Sequence, residues 1–209
     1  MNRNEVPDVV VLRLPIYVRA LNQLLASGID LVSSDQLGTL LQMTPAQIRK
    51  DLSYFGRFGK QGSGYGVQFL HNELREILGL NQKWSACLIG VGNLGQAIIN
   101  YPGFAPEGIN ISAAFDSDPH MVDRYIGNLS VRPMSELNET IQRENLTIGI
   151  VAVPGEQAQP VIDVLVASGI AGILNYAPIA PYVPMGIVLR NIDPVLSLQS
   201  MTFYMLQDI

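Results

Sequence analysis

Ala86-Cys-Leu-Ile-Gly-Val-Gly-Asn-Leu-Gly95 reads as an apolar strand that breaks into a glycine-rich turn and opens a helix through Ala97, Ile98 and Ile99. The glycines have separable jobs: Gly90 makes the tight bend, Gly92 lets the backbone approach a pyrophosphate, and Gly95 lets the helix pack on the strand. Val91, Asn93 and Leu94 complete the turn, and the helix start favours negative charge. Alone the motif is weak, and its surroundings strengthen it. A second strand pattern, Ile109-Asn-Ile-Ser-Ala-Ala-Phe115, ends at Asp116, twenty-one residues past Gly95. A ribose-binding acid belongs about twenty residues on. A glycine turn beside a surface aspartate is the alternative. Ser117, Asp118 and Pro119 follow with no Arg or Lys to neutralise a 2′-phosphate, so NAD(H) is favoured over NADP(H).

Downstream, the pattern alternates: a helix over 135–144, a strand over 146–153, a helix over 156–168, and strands over 172–175 and 187–190. Such alternation predicts an α/β, Rossmann-like, doubly wound parallel sheet. Ligands of these sheets bind beyond the carboxyl ends of the strands. Val153 and Pro154, and then Asn175, Tyr176, Ala177 and Pro178, end strands on that rim and are candidates for the adenine and nicotinamide ends of a pocket. Ordinary strand-ending turns would explain each of them singly. The last segment, 194–207, has a helical pattern with Val195, Leu198, Met201 and Met205 available for burial. It is too apolar to stand in solvent and must pack on its own sheet or on another subunit.

At 209 residues, with 48% apolar and 15% charged residues, the chain is a folded protein with room for two domains. No uninterrupted apolar run reaches the length of a membrane span, and the first residues lack a secretory apolar region, so no membrane association and a cytoplasmic location are expected. The single cysteine, Cys87, falls inside a strand pattern, as a small buried hydrophobe would. His71 and His120, both expected on the surface, are too few and too far apart for a ligand cluster, so no metal is expected. The net charge of −5 conceals an asymmetry. Residues 1–80 carry eight basic and seven acidic residues, whereas residues 81–209 carry five and eleven. Within 44–60 the count is four basic to one acidic, a compact basic patch.

Three amphipathic helices fit the N-terminal part. The first is predicted over 15–27, with Ile16, Ala20, Leu21, Leu24 and Leu25 on one face and a stop at Gly28. Ser33, Ser34 and Asp35 offer caps for a second over 36–41, and Gln42-Met43 turns the chain. Thr44 caps a third, with Pro45 at its first position and Gln47 completing a capping box. Ile48, Leu52 and Phe55 form its buried stripe. Gln47, Lys50 and Tyr54 then share the opposite face, flanked by Arg49 and Ser53. This is the pattern of a helix that enters a major groove, although a solvated face would look the same. The sequel, Arg57-Phe-Gly-Lys-Gln-Gly-Ser-Gly-Tyr65, is glycine-rich, basic and aromatic. It suits a wing reaching minor groove or phosphates through Arg57, Lys60, Gly62 and Gly64, or a merely flexible hairpin.

Ser33-Ser-Asp-Gln-Leu-Gly38, Gln47-Ile-Arg-Lys-Asp-Leu-Ser-Tyr-Phe-Gly56 and Gly62-Ser-Gly-Tyr65 together resemble the winged-helix domain of the Rex redox-sensing repressors. The resemblance continues through the glycine turn, Asn100-Tyr-Pro-Gly-Phe104, Val151-Ala-Val-Pro154 and Gly172-Ile-Leu-Asn-Tyr-Ala-Pro178, covering nearly the whole chain. It implies a transcriptional repressor that senses the NADH/NAD⁺ state. Such a protein holds an inverted-repeat operator in double-stranded DNA when NADH is scarce and is released when NADH binds. It also implies a homodimer with the C-terminal helix swapped between partners, and a switching network of Arg19, Tyr101 and Asp193. From the residues alone, Arg19 is equally a surface charge, Tyr101 a core residue and Asp193 an N-cap. Two positions depart from the family pattern: Pro194 replaces a bulky apolar residue, and Gln61 replaces an arginine in the wing.

The corresponding organisation is a winged helix-turn-helix DNA-binding domain over 1–80, a dinucleotide-binding domain over 81–193 and a dimerisation helix over 194–209. The competing class is a small NAD-dependent oxidoreductase with an accessory helical domain, since its fold would account for the glycine turn equally well. No Tyr-x-x-x-Lys pair occurs and neither histidine marks a proton relay, so no catalytic residue is expected. A methyltransferase would leave the 47–56 string unexplained.

Overall fold

The computed structural model describes residues 6–60 and 64–206, which fall into two compact units divided between Gln82 and Lys83. The N-terminal unit contains helices α1 (Asp8–Ala26), α2 (Ser34–Leu41), α3 (Pro45–Ser53) and α4 (Val67–Ile77). A small sheet, β1 (Leu31–Val32), β2 (Gly59–Lys60) and β3 (Gly64–Gly66), runs in the order β1-β3-β2 with both pairings antiparallel. This is a winged helix-turn-helix.

Local chemistry accounts for most of these boundaries. The Ser33 hydroxyl accepts from the Gln36 amide while the Gln36 side chain accepts from the Ser33 amide, a complete capping box at α2. Between α2 and α3 the chain turns at Gln42, left-handed at φ 54°, and Gly38 lies so close to Met43 O that a Cβ there would approach to 2.5 Å. A side chain at Gly38 would wedge the two helices apart. At α3 the Thr44 hydroxyl accepts from the Gln47 amide, but the predicted capping box does not close, because the Gln47 side chain is bonded to Asp51 instead.

Three features of this unit differ from expectation. α1 begins seven residues earlier than predicted, with Pro15 inside it. Of the earlier residues Val10 and Leu14 are buried, so packing outweighs the breaking tendency of proline. Its buried face is Val10, Leu14, Tyr17, Val18 and Leu21, whereas Ile16 is exposed. α4 was not foreseen, although Val67, Leu70 and Leu74 repeat at helical spacing and are buried. Its residue His71 is half-buried rather than on the surface, and its Nε2 atom is enclosed with no hydrogen-bond partner. α1 is long and apolar enough to cross a membrane, but its apolar face fills a core with Leu37, Ile48, Leu52 and Leu70.

The C-terminal unit is built on β4 (Trp84–Ile89), β5 (Ile109–Asp116), β6 (Tyr125–Ile126), β7 (Leu129–Pro133), β8 (Ile148–Val151), β9 (Gly172–Asn175) and β10 (Val188–Asn191). Its sheet order is β10-β9-β8-β4-β5-β7-β6, all parallel except the β6–β7 pair. The antiparallel β6–β7 hairpin had no counterpart in the sequence reading. Helices α5 (Asn93–Ile99), α6 (Leu137–Glu144) and α7 (Gly155–Ala167) cover both faces. β4 shows how: Ala86 and Leu88 pack with Ile98 of α5, and Cys87 and Ile89 pack with Leu137, Ile141, Ile162 and Leu165 of α6 and α7. A strand apolar on both sides is what a two-face cover requires. The last helix, α8 (Pro194–Met205), buries no residue, and Val195, Leu196, Leu198, Met201, Phe203, Tyr204 and Met205 are all exposed.

Leu14 is fully buried at the centre of the N-terminal core. Leu14→Ala is expected to cost about 2–5 kcal/mol. The measure is the urea midpoint of the transition that reports on the N-terminal unit; an unchanged midpoint would contradict the role of α1 as a core helix.

Candidate functional site

Strand order reverses at β4, which has β5 on one side and β8 on the other. The loops leaving β4 and β8 therefore diverge and leave a crevice at the carboxyl ends of the strands. Gly90 follows β4 with φ +92°, and a Cβ there would lie 2.5 Å from Ala152 O at the end of β8. Gly92 has nothing near its Cβ position, so its backbone is open. Gly95 is buried, and a side chain there would run into Gly90 O. Val91 is buried and donates its amide to Asp116 Oδ2 at 2.6 Å, while Asp118 N donates to Asp116 Oδ1 at 2.9 Å. Asp116 thus ties the tip of β5 to the glycine turn and still faces the crevice.

A cavity of about 340 Å³ occupies this crevice, lined by Gly90, Gly92, Asp116, Val153 and Pro154 among the sequence-selected positions and by Ser117 and Asp118 beside them. Met134, Ala152, Gln157 and Val161 also line it. Gln157 and Val161 were missed although they lie one turn apart on α7, the helix that starts just after Pro154; Met134 carried no signal. A second cavity, of about 630 Å³, is lined by Leu94, Tyr176, Asn191, Ile192, Asp193, Pro194 and Ser197. Leu94 and Asn93 are exposed in the first turn of α5, and burial pushes the Tyr176 phenol pKa up.

The remaining rim positions are arranged differently. Asn175 is buried, donating to Ala177 O at 3.0 Å and Asn191 Oδ1 at 2.9 Å and accepting from Ala177 N at 3.0 Å. Its amide holds the strand-end turn, Ala177 is in the core and Pro178 is exposed. Tyr101, 58% exposed, stands edge-on to Phe104 with centroids 5.2 Å apart and lines neither cavity. Asp193 Oδ1 accepts from Val195 N at 2.9 Å, the N-cap of α8. Arg19 is exposed on α1, in the other unit.

On α3 the outward residues are Arg49, Lys50 and Ser53, with Thr44 exposed at the N-cap. Arg49 Nη1 donates to Ser34 Oγ at 2.8 Å, which braces it against α2. Gln47 turns inward to Asp51, and Tyr54, just past the helix, is half-buried. Arg57 is exposed, and Lys60 belongs to β2. Gly64 has φ +71°, and a Cβ there would meet Val32 O at 2.6 Å, so its glycine serves the contact of β3 with β1. Gly62 and Gln61 lie outside the described residues. The residue that sequence reasoning overlooked is Asp51, wholly buried in the apolar stripe of α3. Burial would raise its pKa, but hydrogen bonds from Arg13, Tyr17 and Gln47 overcome that and hold it below the usual value.

Comparison with known proteins joins the two sites. Residues 5–53 match the family described as "Putative DNA-binding protein N-terminus", and residues 81–179 match "CoA binding domain". The redox-sensing transcriptional repressor Rex of Chloroflexus aurantiacus is 49% identical over 209 residues, spanning 100% of this chain and 99% of that one. A crystal structure of RSP, a Rex-family repressor, in complex with β-NAD⁺ and operator DNA superposes with TM-score 0.92 at 38% identity, covering 97% of this chain and 94% of that one. RSP in complex with β-NADH gives 0.89 at 36% identity, covering 98% and 96%.

The chain's one thiol, Cys87, is fully buried in β4, and burial pushes its pKa up to about 12. Thiolate is the reactive form. Alkylation of Cys87 at pH 8 is therefore expected to be at least about 100-fold slower in the folded protein than in urea. Labelling at the unfolded rate would contradict its burial.

Proposed function

The chain belongs to the Rex family of redox-sensing transcriptional repressors, and on that footing we propose how its two units perform sensing and repression. It is a DNA-binding repressor, not an enzyme. It binds an inverted-repeat operator when NADH is low and leaves it when NADH binds, and it works as a homodimer, with no membrane partner. A repressor acts where the chromosome lies, which assigns it to the cytoplasm. The observation that carries this reading is the 49% identity to a Rex repressor over the whole chain, and the exposed Arg49, Lys50 and Ser53 and the crevice at the β4 switch point support it.

In this proposal residues 1–80 read DNA, 81–193 hold the cofactor and 194–209 dimerise. Thr44, Arg49, Lys50, Ser53, Arg57 and Lys60 face the operator, with Lys50 and Ser53 at base edges and the others on phosphates. Gln47, Tyr54 and Gly64 support that surface, and Gly62 is a further candidate for contact with DNA. Gly90 to Gly95 would hold the pyrophosphate and Asp116 a ribose hydroxyl, which the open backbone at Gly92 and the carboxylate on the crevice wall both suit. Val153 and Pro154 belong to the adenine side, and Tyr101, Asn175, Tyr176, Ala177 and Pro178 to the nicotinamide side.

The cofactor supplies a ring that is neutral when reduced and positively charged when oxidised. Leu94, Ile192 and Pro194 offer an apolar wall that disfavours the charged form by desolvation. A shift from mostly operator-competent to mostly released takes on the order of 5 kcal/mol of differential affinity. Arg19, Tyr101 and Asp193 form the proposed switching network, and the exposed apolar α8 is covered by the partner copy, consistent with a swapped helix.

The test uses a DNA duplex selected by the full-length protein from a random pool. NADH is expected to dissociate the complex at concentrations where NAD⁺ and NADPH do not; equal effects of all three would overturn the sensor. Lys50→Ala is expected to abolish operator binding while leaving NADH affinity unchanged. Asp116→Ala is expected to weaken NADH by about 10- to 100-fold, measured by nicotinamide fluorescence, with operator binding in the absence of cofactor retained.

A further inference from the structure

Asp51 sits on the buried side of α3 beside Ile48 and Leu52, with no exposed surface. Four hydrogen bonds converge on its carboxylate. Arg13 Nε donates to Oδ2 at 2.6 Å and Arg13 Nη2 to Oδ1 at 2.7 Å; the Tyr17 hydroxyl donates to Oδ2 at 2.5 Å and Gln47 Nε2 to Oδ1 at 2.6 Å. Arg13 and Tyr17 lie one turn apart on α1, and Gln47 and Asp51 one turn apart on α3. The carboxylate therefore joins two successive turns of α1 to two successive turns of α3, and every acceptor site is filled.

Stability gives no reason for a charge here, because well-packed apolar residues at such a site are often as stabilising or more so. Direction does. Apolar contact between Ile48, Leu52 and their neighbours is non-directional and tolerates small rotations of α3 about its axis. A bidentate arginine fork tolerates few. Lys50 and Ser53 flank Asp51 on the same short helix, so the angle that seats Asp51 in the Arg13 fork also sets where they point. Arg49, braced by Ser34, fixes the outer side. Base-edge hydrogen bonds depend on that angle, whereas contacts to phosphates through long flexible side chains depend on it far less.

Resting on the assignment of α3 as the recognition helix, we propose that Asp51, gripped by Arg13, Tyr17 and Gln47, is a positioning residue for operator discrimination. It sets the orientation of α3 at which Lys50 and Ser53 meet base edges, separately from any contribution to stability.

The experiment measures affinity of full-length Tyr17→Phe and Asp51→Asn for the selected duplex and for a scrambled duplex of equal length and composition, over a range of salt. Tyr17→Phe removes one of the four bonds with little change of shape, so it decides the matter should Asp51→Asn fail to fold. The expected result is at least about a tenfold fall in the operator-to-scrambled ratio, with scrambled-duplex affinity and the salt slope unchanged within about twofold. An unchanged ratio in a variant that retains wild-type NADH affinity and circular dichroism overturns the proposal. So does an equal fall on both duplexes, the signature of a purely structural role. Lys50→Ala is the control: if it leaves operator affinity intact, α3 is not the recognition helix and the proposal falls with that assignment.

Discussion

The reversal of strand order at β4 is the constraint on which the nucleotide-binding half depends. With β5 and β8 on opposite sides of β4, the chain leaving each strand turns to opposite faces of the sheet, and a crevice opens where the turns part. That crevice can be narrow only because Gly90 has no Cβ to strike Ala152 O. It is held in shape by the Val91 amide bonded to Asp116, which spans the tips of β4 and β5. The residue proposed for a ribose hydroxyl is thus also a strut for the turn proposed to hold the pyrophosphate. Both oxygens of a carboxylate have more than one acceptor site, so the two roles coexist.

In the DNA-binding half a different physical solution fixes geometry. Among the described residues, three short strands and four helices enclose a small apolar core, and an apolar core alone leaves short helices free to adjust. The Asp51 cluster converts part of that core from non-directional contact to directed bonding, at the cost of desolvating a charge. Its arginine is on α1 and its carboxylate on α3, so the helix that carries the exposed basic face is referenced to the longest helix of the unit.

Much of the fold was legible from periodicity and punctuation. Strand 172–175 and the start of α8 at Pro194 coincide with their sequence expectations, because a change of period, a glycine or a proline marks each one. Pro15 marks a helix start in the sequence, whereas Val10 and Leu14 before it are buried and extend α1. The β6–β7 hairpin does carry a signal, the two-residue Gly127-Asn128 turn before the alternating Leu129-Ser-Val-Arg132, but β6 is only two residues long, and it is pairing with β5 that places β7 in the sheet. On the site, the glycines and Asp116 were legible through spacing. Helical angle alone puts Gln47 on the outer face, and only the buried carboxylate four residues on shows why it turns inward.

The sequence by itself determined the two-part organisation, the strand-turn-helix at Gly90, the acid at Asp116 and the basic face around Lys50, because each follows from local spacing along the chain. The tertiary structure decided what spacing cannot reach. It showed that Asp51 is buried against Arg13 thirty-eight residues away, that Asn175 closes on Ala177 and Asn191, and that α8 leaves its apolar surface uncovered. Whether a polar side chain faces solvent, ligand or core depends on which distant elements surround it. Only the assembled fold brings those elements together.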